Sequence, residues 1–154
     1  MEPVEVTSWV IHSLFAGLWT GSVLFLTLAV LPLARDGTLN AAPLDRLAGK
    51  IKTISRVSAL LLFVTGSHMA AHLHTGETLF ETEQGWLVLS MLAFWFFLIG
   101  SIEVGGKKLT DGTERDKVRE PARNARPFFL VAALLSVLLL VNAGLLSSYR
   151  LGFI

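Results

Sequence analysis

The strongest constraint on this chain is a set of four long apolar runs, at about 7–33, 55–73, 85–104 and 127–148. A helix needs about 20 apolar residues to cross the hydrocarbon core of a bilayer, and each run has close to that length or more. Lipid offers no water to backbone N–H and C=O groups, so a spanning segment must satisfy them internally. The runs therefore predict membrane helices. Four crossings use more than half of the 154 residues, leaving short connections and no second domain. The expected fold is all-α: one integral membrane four-helix bundle over residues 1–154. A hydrophobic content of 53% and a mean hydropathy of +0.61 are too high for a soluble domain of this size.

The chain opens on "MEPVEVTSW", which is acidic where a signal peptide is basic, so the first run is expected to stay as a span. There is no cysteine, which excludes disulfides, thiolate metal sites and thiol redox chemistry.

Charge distribution supplies the orientation. The connection between the first two runs holds Arg35, Arg46, Lys50, Lys52 and Arg56. The one between the last two holds Lys107, Lys108, Arg115, Lys117, Arg119, Arg123 and Arg126. These are twelve of the thirteen basic residues; Arg150 is the other. The middle connection, "HLHTGETLFETEQ", carries Glu77, Glu81 and Glu83 instead. The positive-inside rule then predicts a multi-pass plasma membrane protein with both termini and the acidic loop outside.

Two faces separate on the first run at helical spacing. Ser13, Gly17 and Gly21 form a small-residue ridge that suits close helix approach, read first as packing within the chain and otherwise as a homo-oligomer contact. His12, Ala16, Trp19 and Val23 form the other face. In the first connection Leu44, Leu47, Ile51 and Ile54 recur at helical spacing among charges. This is an amphipathic extension that runs into the second span or lies on the membrane surface, where anionic lipid would favour its basic residues. The last connection reads as a solvated linker with a short helix.

Polar groups inside a membrane are costly and mark function by default. Three of the four histidines fall in "GSHMAAHLH", residues 66–74. His12 and His68 lie at equal depth on neighbouring runs, roughly 8 Å inside the outer boundary at 1.5 Å per residue. Met91 and Asn142 fall at a similar depth on the other two runs. His68 and His72 share a face at i, i+4, and Thr65 and Ser58 continue that polar stripe. Imidazoles so spaced suit copper, zinc or iron, and thioethers at Met69 and Met91 would add soft ligands. The expected metal set is His12, His68, His72, Met69 and Met91. The same residues allow a haem b held between His12 and His68, with Trp19 and Trp95 packing the macrocycle. Hydrogen bonding alone is the plainer role for Asn142, and an ion pair with Lys107 is the plainer role for Glu103. Trp9, Trp86 and Tyr149 fall at the outer boundary as interfacial anchors. Phosphate-binding loops, dinucleotide fingerprints, serine-hydrolase elbows and zinc-protease motifs are absent, as is any basic, aromatic surface for nucleic acid.

Two stretches carry a family resemblance. "IHSLFAGLWTGSVLFLTLAVLP" resembles the first helix of the CopD-like copper resistance membrane proteins, with its histidine and following Trp-x-Gly. "ISRVSALLLFVTG" resembles their second helix, and the likeness extends over about residues 7–150. It implies a cytoplasmic-membrane protein that moves or handles copper, and it carries over His12 and Trp19. The first helix is also similar to that of the HemJ-type oxidases, which implies haem; Ser90 and Met91 stand where a basic residue would serve that enzyme, so no enzymatic role is expected. The expectation is a copper-binding and copper-transporting membrane protein, with a haem b electron-transfer protein or a cofactor-free structural subunit as alternatives. Its expected partners are the bilayer, a second copy through Ser13, Gly17 and Gly21, and an extracytoplasmic copper or redox protein.

Overall fold

The computed structural model describes residues 2–153, and no strand occurs among them. Helix α1 spans Pro3–Phe25 and continues through a π-helical turn at Leu26–Val30 into α2, Leu31–Asp36. Then follow α3 (Ala41–Leu73), the short α4 (Gly76–Glu81), α5 (Glu83–Thr113) and α6 (Arg119–Leu151). The π turn sits just before Pro32, whose missing N–H cannot continue the ordinary ladder; the Leu31 N–H reaches back to the Leu26 carbonyl instead. Gly37 and Gly152, at φ 78° and 73°, end α2 and α6 in the left-handed conformation that glycine adopts freely.

The long helices form a ring in which α1 packs on α3, α3 on α5, and α5 on α6. Helix α6 closes the ring against α1, α2 and the π turn. Both chain ends meet at one end of this bundle: the Arg150 guanidinium lies 4.1 Å from the Trp9 ring, and Tyr149 bonds Glu83 at the start of α5. We call this the terminal end. The opposite, basic end is tied by Arg119 donating to the Asp36 carbonyl at 3.2 Å and by Thr113 donating to Asp45 at 2.7 Å.

Three segments are long and apolar enough to cross a membrane: α1 through α2, α5 and α6. Helix α3, 33 residues long, is not in that group; it carries the charged Asp45, Arg46, Lys50, Lys52 and Arg56 and the polar Ser55, Ser58, Thr65, His68 and His72. The surface supports a membrane setting. Phe25, Leu28, Leu60, Phe96, Phe97 and Leu134 are all more than half exposed, an arrangement that water would penalise and lipid would not.

The amphipathic stretch around Leu44 does not lie apart from the bundle. It is the first part of α3, with Leu44 and Ile51 buried. Apart from Ala59, buried residues along α3 fall at Leu44, Ala48, Ile51, Ser55, Ser58, Leu62 and Thr65, alternating steps of four and three. That heptad seam is the pattern by which antiparallel helices interlock in a bundle. The last connection is also more helical than expected, since α5 runs on to Thr113 and α6 begins at Arg119.

The core is asymmetric along the bundle axis. Its largest fully buried side chains, Trp19 and Phe129 first, then Leu31, Leu44, Leu98, Ile102 and Leu109, lie from the level of Trp19 to the basic end. Here α5 and α6 approach closely: a side-chain carbon at Gly105 would stand 2.9 Å from the Phe129 ring. By contrast Ser13, Gly17 and Gly21 are exposed on α1, and nothing lies within 4 Å of a carbon added at either glycine. The small-residue ridge is not used for packing within the protomer.

These two glycines give opposite expectations. Gly105→Ala should destabilise the bundle by about 1–3 kcal/mol through overpacking. Gly17→Ala should be neutral or stabilise by up to about 1 kcal/mol through helix propensity. Thermal unfolding of the two variants in detergent checks the difference, and equal shifts would contradict the packing described.

Candidate functional site

The expected site residues gather where α1 meets α3, in the terminal half of the bundle. His12 Nδ1 lies 2.8 Å from Thr65 Oγ1. The Thr65 hydroxyl donates its proton to the Leu61 carbonyl at 2.7 Å, so toward His12 its oxygen accepts. His12 therefore carries its proton on Nδ1 and keeps the Nε2 lone pair free. Gly66 makes this contact close: a side-chain carbon there would stand 3.1 Å from His12 Cε1.

His68 and His72 are neighbours by helical spacing, with ring centroids 4.3 Å apart and planes tilted by 52°. His72 Nδ1–H donates to the His68 carbonyl at 2.9 Å, which again leaves Nε2 as the free nitrogen. His68 Nε2 is buried and has no hydrogen-bond partner among the described residues. A buried polar atom of this kind costs about 1–3 kcal/mol unless something binds it. Two imidazoles thus have their tautomer set by a neighbour, in the way metal-ligating histidines are commonly set, and a third has an orphaned nitrogen.

The structure brings His68 to His72 and His12 to Thr65, one turn from His68 along α3. It does not close the three histidines into one group: among the described residues, no three histidine, cysteine, aspartate or glutamate side chains stand close enough to hold a metal together. His72 bonds instead to its own helix, at the His68 carbonyl. Met69 and Met91 are each half-buried. His74, just past the end of α3, is also half-buried and forms no part of this arrangement.

The indoles serve helix contacts. Trp19 Nε1–H donates to Ser55 Oγ at 2.9 Å, with both groups buried, two turns below His12. Trp95 donates to the Ala59 carbonyl at 3.2 Å, and its ring lies 5.5 Å from that of Phe63. Asn142 on α6 donates from Nδ2 to the Leu87 carbonyl at 3.1 Å and to Ser90 Oγ at 2.6 Å, so its interhelical bonding role is present. Glu103 differs from expectation. It pairs with Arg56 of α3, accepting from Nε at 2.7 Å and Nη2 at 2.9 Å, and not with Lys107 of its own helix. A two-pronged guanidinium–carboxylate contact offers better geometry than a lysine one turn away.

Sequence reasoning placed Thr65 and Ser58 on the histidine stripe but did not name Thr65 as the partner of His12, nor Ser55 as that of Trp19. The four-and-three spacing of Ser55, Ser58 and Thr65 was the available signal. Two open surface grooves lie elsewhere. One, of about 360 Å³, is lined by Glu83, Trp86, Leu87, Leu145 and Tyr149; the other lies among charged residues at the basic end. Comparison with family models, curated proteins and solved structures finds no match to this chain, so the site is read from its own geometry.

Thr65→Val keeps the shape of the side chain and removes the acceptor. Nitrogen-15 imidazole spectra should show His12 as a single Nδ1–H tautomer in the parent and as a tautomer mixture in the variant, with His72 unchanged. A His12 spectrum that ignores the substitution would refute the assigned bond.

Proposed function

We propose that this chain is a plasma membrane protein with four crossings, which takes a copper ion from the outer side onto the imidazoles of His12, His68 and His72 and carries it inward. The topology supports the fourth crossing. Helices α1 and α5 both start at the terminal end, so if both cross, the chain must return between them, and α3 is that return. Twelve of the thirteen basic residues lie toward the other end, which assigns that end to the cytoplasm by the positive-inside rule.

The observation that carries the binding reading is the set of free Nε2 atoms. His12 and His72 have committed their Nδ1 protons, and His68 Nε2 is buried without a partner. Neutral imidazole nitrogen suits copper, and the resemblance to CopD-like proteins selects copper among the metals imidazole favours. Exposed Glu77, Glu81 and Glu83 concentrate cations at the entrance and favour delivery by an extracytoplasmic copper protein. Below His12 the interior is filled by Trp19 and the core beneath it, so the ion rests in the outer half in this conformation. Inward movement then requires the helices to part. The open ridge of Ser13, Gly17 and Gly21 is the face on which a second copy would pack for that purpose.

The haem alternative fits less well. A macrocycle between His12 and His68 needs room that the close seat of His12 on Gly66 removes, and both indoles are engaged in helix contacts. A cofactor-free subunit leaves the orphaned His68 nitrogen without a purpose.

The absorption spectrum of detergent-purified protein, oxidised and then dithionite-reduced, separates these readings. The expected protein is colourless apart from its aromatic band, and a Soret band would overturn the copper reading in favour of haem. Copper titration should then show His68→Ala weakening binding by about tenfold or more, the scale of losing one ligand or its support. Unchanged binding in that variant would leave the structural subunit as the better account.

A further inference from the structure

Helices α3 and α5 run antiparallel in one register over most of their length. Phe63 and Ala59 meet Trp95, Arg56 meets Glu103, Lys52 meets Gly106, and Asp45 meets Thr113. Two of these contacts present cationic groups where the apolar surface ends. Glu103 takes Nε and one Nη2 proton of Arg56, which leaves Nη1 and the other Nη2 proton free on a side chain that is 62% exposed. The Lys52 stem lies directly on α5: a side-chain carbon at Gly106 would stand 2.7 Å from Lys52 Cδ, so only glycine admits it. Neither the Lys52 ammonium nor that of exposed Lys107, one turn past Glu103, has an ion-pair partner among the described residues.

These groups stand at one level. The apolar runs of the two helices end near 55 and 104, so Lys52 and Lys107 lie about 5 Å beyond them at 1.5 Å per residue. That is the depth of the headgroup layer, which adds about 5–7 Å to each side of the hydrocarbon core. On the hydrocarbon side, exposed Leu60 lies one turn from Arg56, and exposed Phe96 lies two turns from Glu103. Between Phe96 and Glu103 stands Gly100, exposed and with nothing within 4 Å of an added carbon, which leaves a notch in the strip. Lys52, Arg56 and Lys107 outnumber the one carboxylate, so the seam is cationic at its headgroup level and apolar below. A soluble anion would use the charges and leave the strip bare. A neutral lipid would use the strip and leave the charges unmatched. One molecule with both an anionic head and acyl chains matches both.

We infer that the α3–α5 seam at the basic end is a binding site for one acidic phospholipid of the adjoining leaflet. Its phosphodiester oxygens accept from Lys52 Nζ, Lys107 Nζ and the free edge of Arg56, and an acyl chain lies along Leu60, Gly100 and Phe96. Glu103 is a positioning residue: it holds one edge of Arg56 and leaves the other for the lipid. The site stands on the packing of α3 against α5 and does not depend on what the histidines hold.

Native mass spectrometry of the delipidated full chain in neutral detergent, titrated with phosphatidylglycerol, tests this. Lys52→Gln with Lys107→Gln keeps the Arg56–Glu103 pair and removes two cations. At about fivefold for each lysine near a membrane surface, it should weaken binding about 25-fold. Lys50→Gln with Lys108→Gln removes the same charge from other faces of the same helices. Lys50 is about 200° around α3 from Lys52, and Lys108 lies over the Phe128 ring of α6. This second pair should bind within about threefold of the parent. Equal loss in both pairs means that diffuse charge suffices and overturns the inference, as does loss in neither. The parent alone supplies a readout that needs no variant: phosphatidylglycerol should raise its melting temperature more than phosphatidylcholine of the same chains. Equal effects of the two lipids overturn the inference even where a variant does not fold. Glycerol phosphate should not displace the bound lipid; displacement would assign these groups to a soluble anion and overturn it as well.

Discussion

The inward-facing polar seam of α3 is the constraint on which the rest of this bundle depends. A helix that places Ser55, Ser58, Thr65 and His68 along one side cannot present that side to lipid, where nothing would bond them. Only a close ring of neighbours solves this, and α1 and α5 supply it. Trp19 bonds Ser55, His12 bonds Thr65, and Trp95 bonds the Ala59 carbonyl beside the seam. The apolar helices α5 and α6 then close the ring with glycine and aromatic packing, as at Gly105 and Phe129. The helix least suited by composition to a membrane thereby fixes the positions of the others.

The same seam divides the bundle into two halves of different character. Toward the basic end its positions are Leu44, Ala48 and Ile51, which pack without residue. Toward the terminal end they become Thr65 and then Met69 and His72, which are half-buried and exposed, and beside them His68 Nε2 is unsatisfied. Dispersion dominates the first half and hydrogen bonding the second. In lipid the drive for helices to associate is packing and polar contact rather than water release. A closed half is therefore needed to keep a loosely packed half assembled, and Arg56–Glu103 adds an ion pair near the boundary between them.

What the sequence revealed follows from which forces are local. The helices were legible because a long apolar run has few other ways to satisfy its backbone in lipid. The i, i+4 spacing of His68 and His72 and their common face with Thr65 were legible for the same reason. Pairings between helices were less so. Glu103 has a lysine one turn away in sequence, but Arg56 wins because a second helix delivers a guanidinium at the right angle. The ridge at Gly17 and Gly21 carries a pattern for helix contact, but pattern does not say whether the contact lies inside the protomer. Composition leaves α3 out of the helices apolar enough to cross, since it counts polar atoms without regard to the neighbouring helices that satisfy them.

A histidine placed in a membrane with all its nitrogens bonded is structural, and one with none bonded is exposed to water or costly. The arrangement here is intermediate. His12 and His72 each hold one nitrogen on a fixed acceptor and leave the other free, while His68 leaves a buried nitrogen free on the same stretch of helix. Under the proposed function, an ion meets lone pairs that need little reorientation at His12 and His72, and it relieves a desolvation cost already present at His68. The folded bundle orients two of the imidazoles beforehand, His12 by a contact between helices and His72 by its own helix.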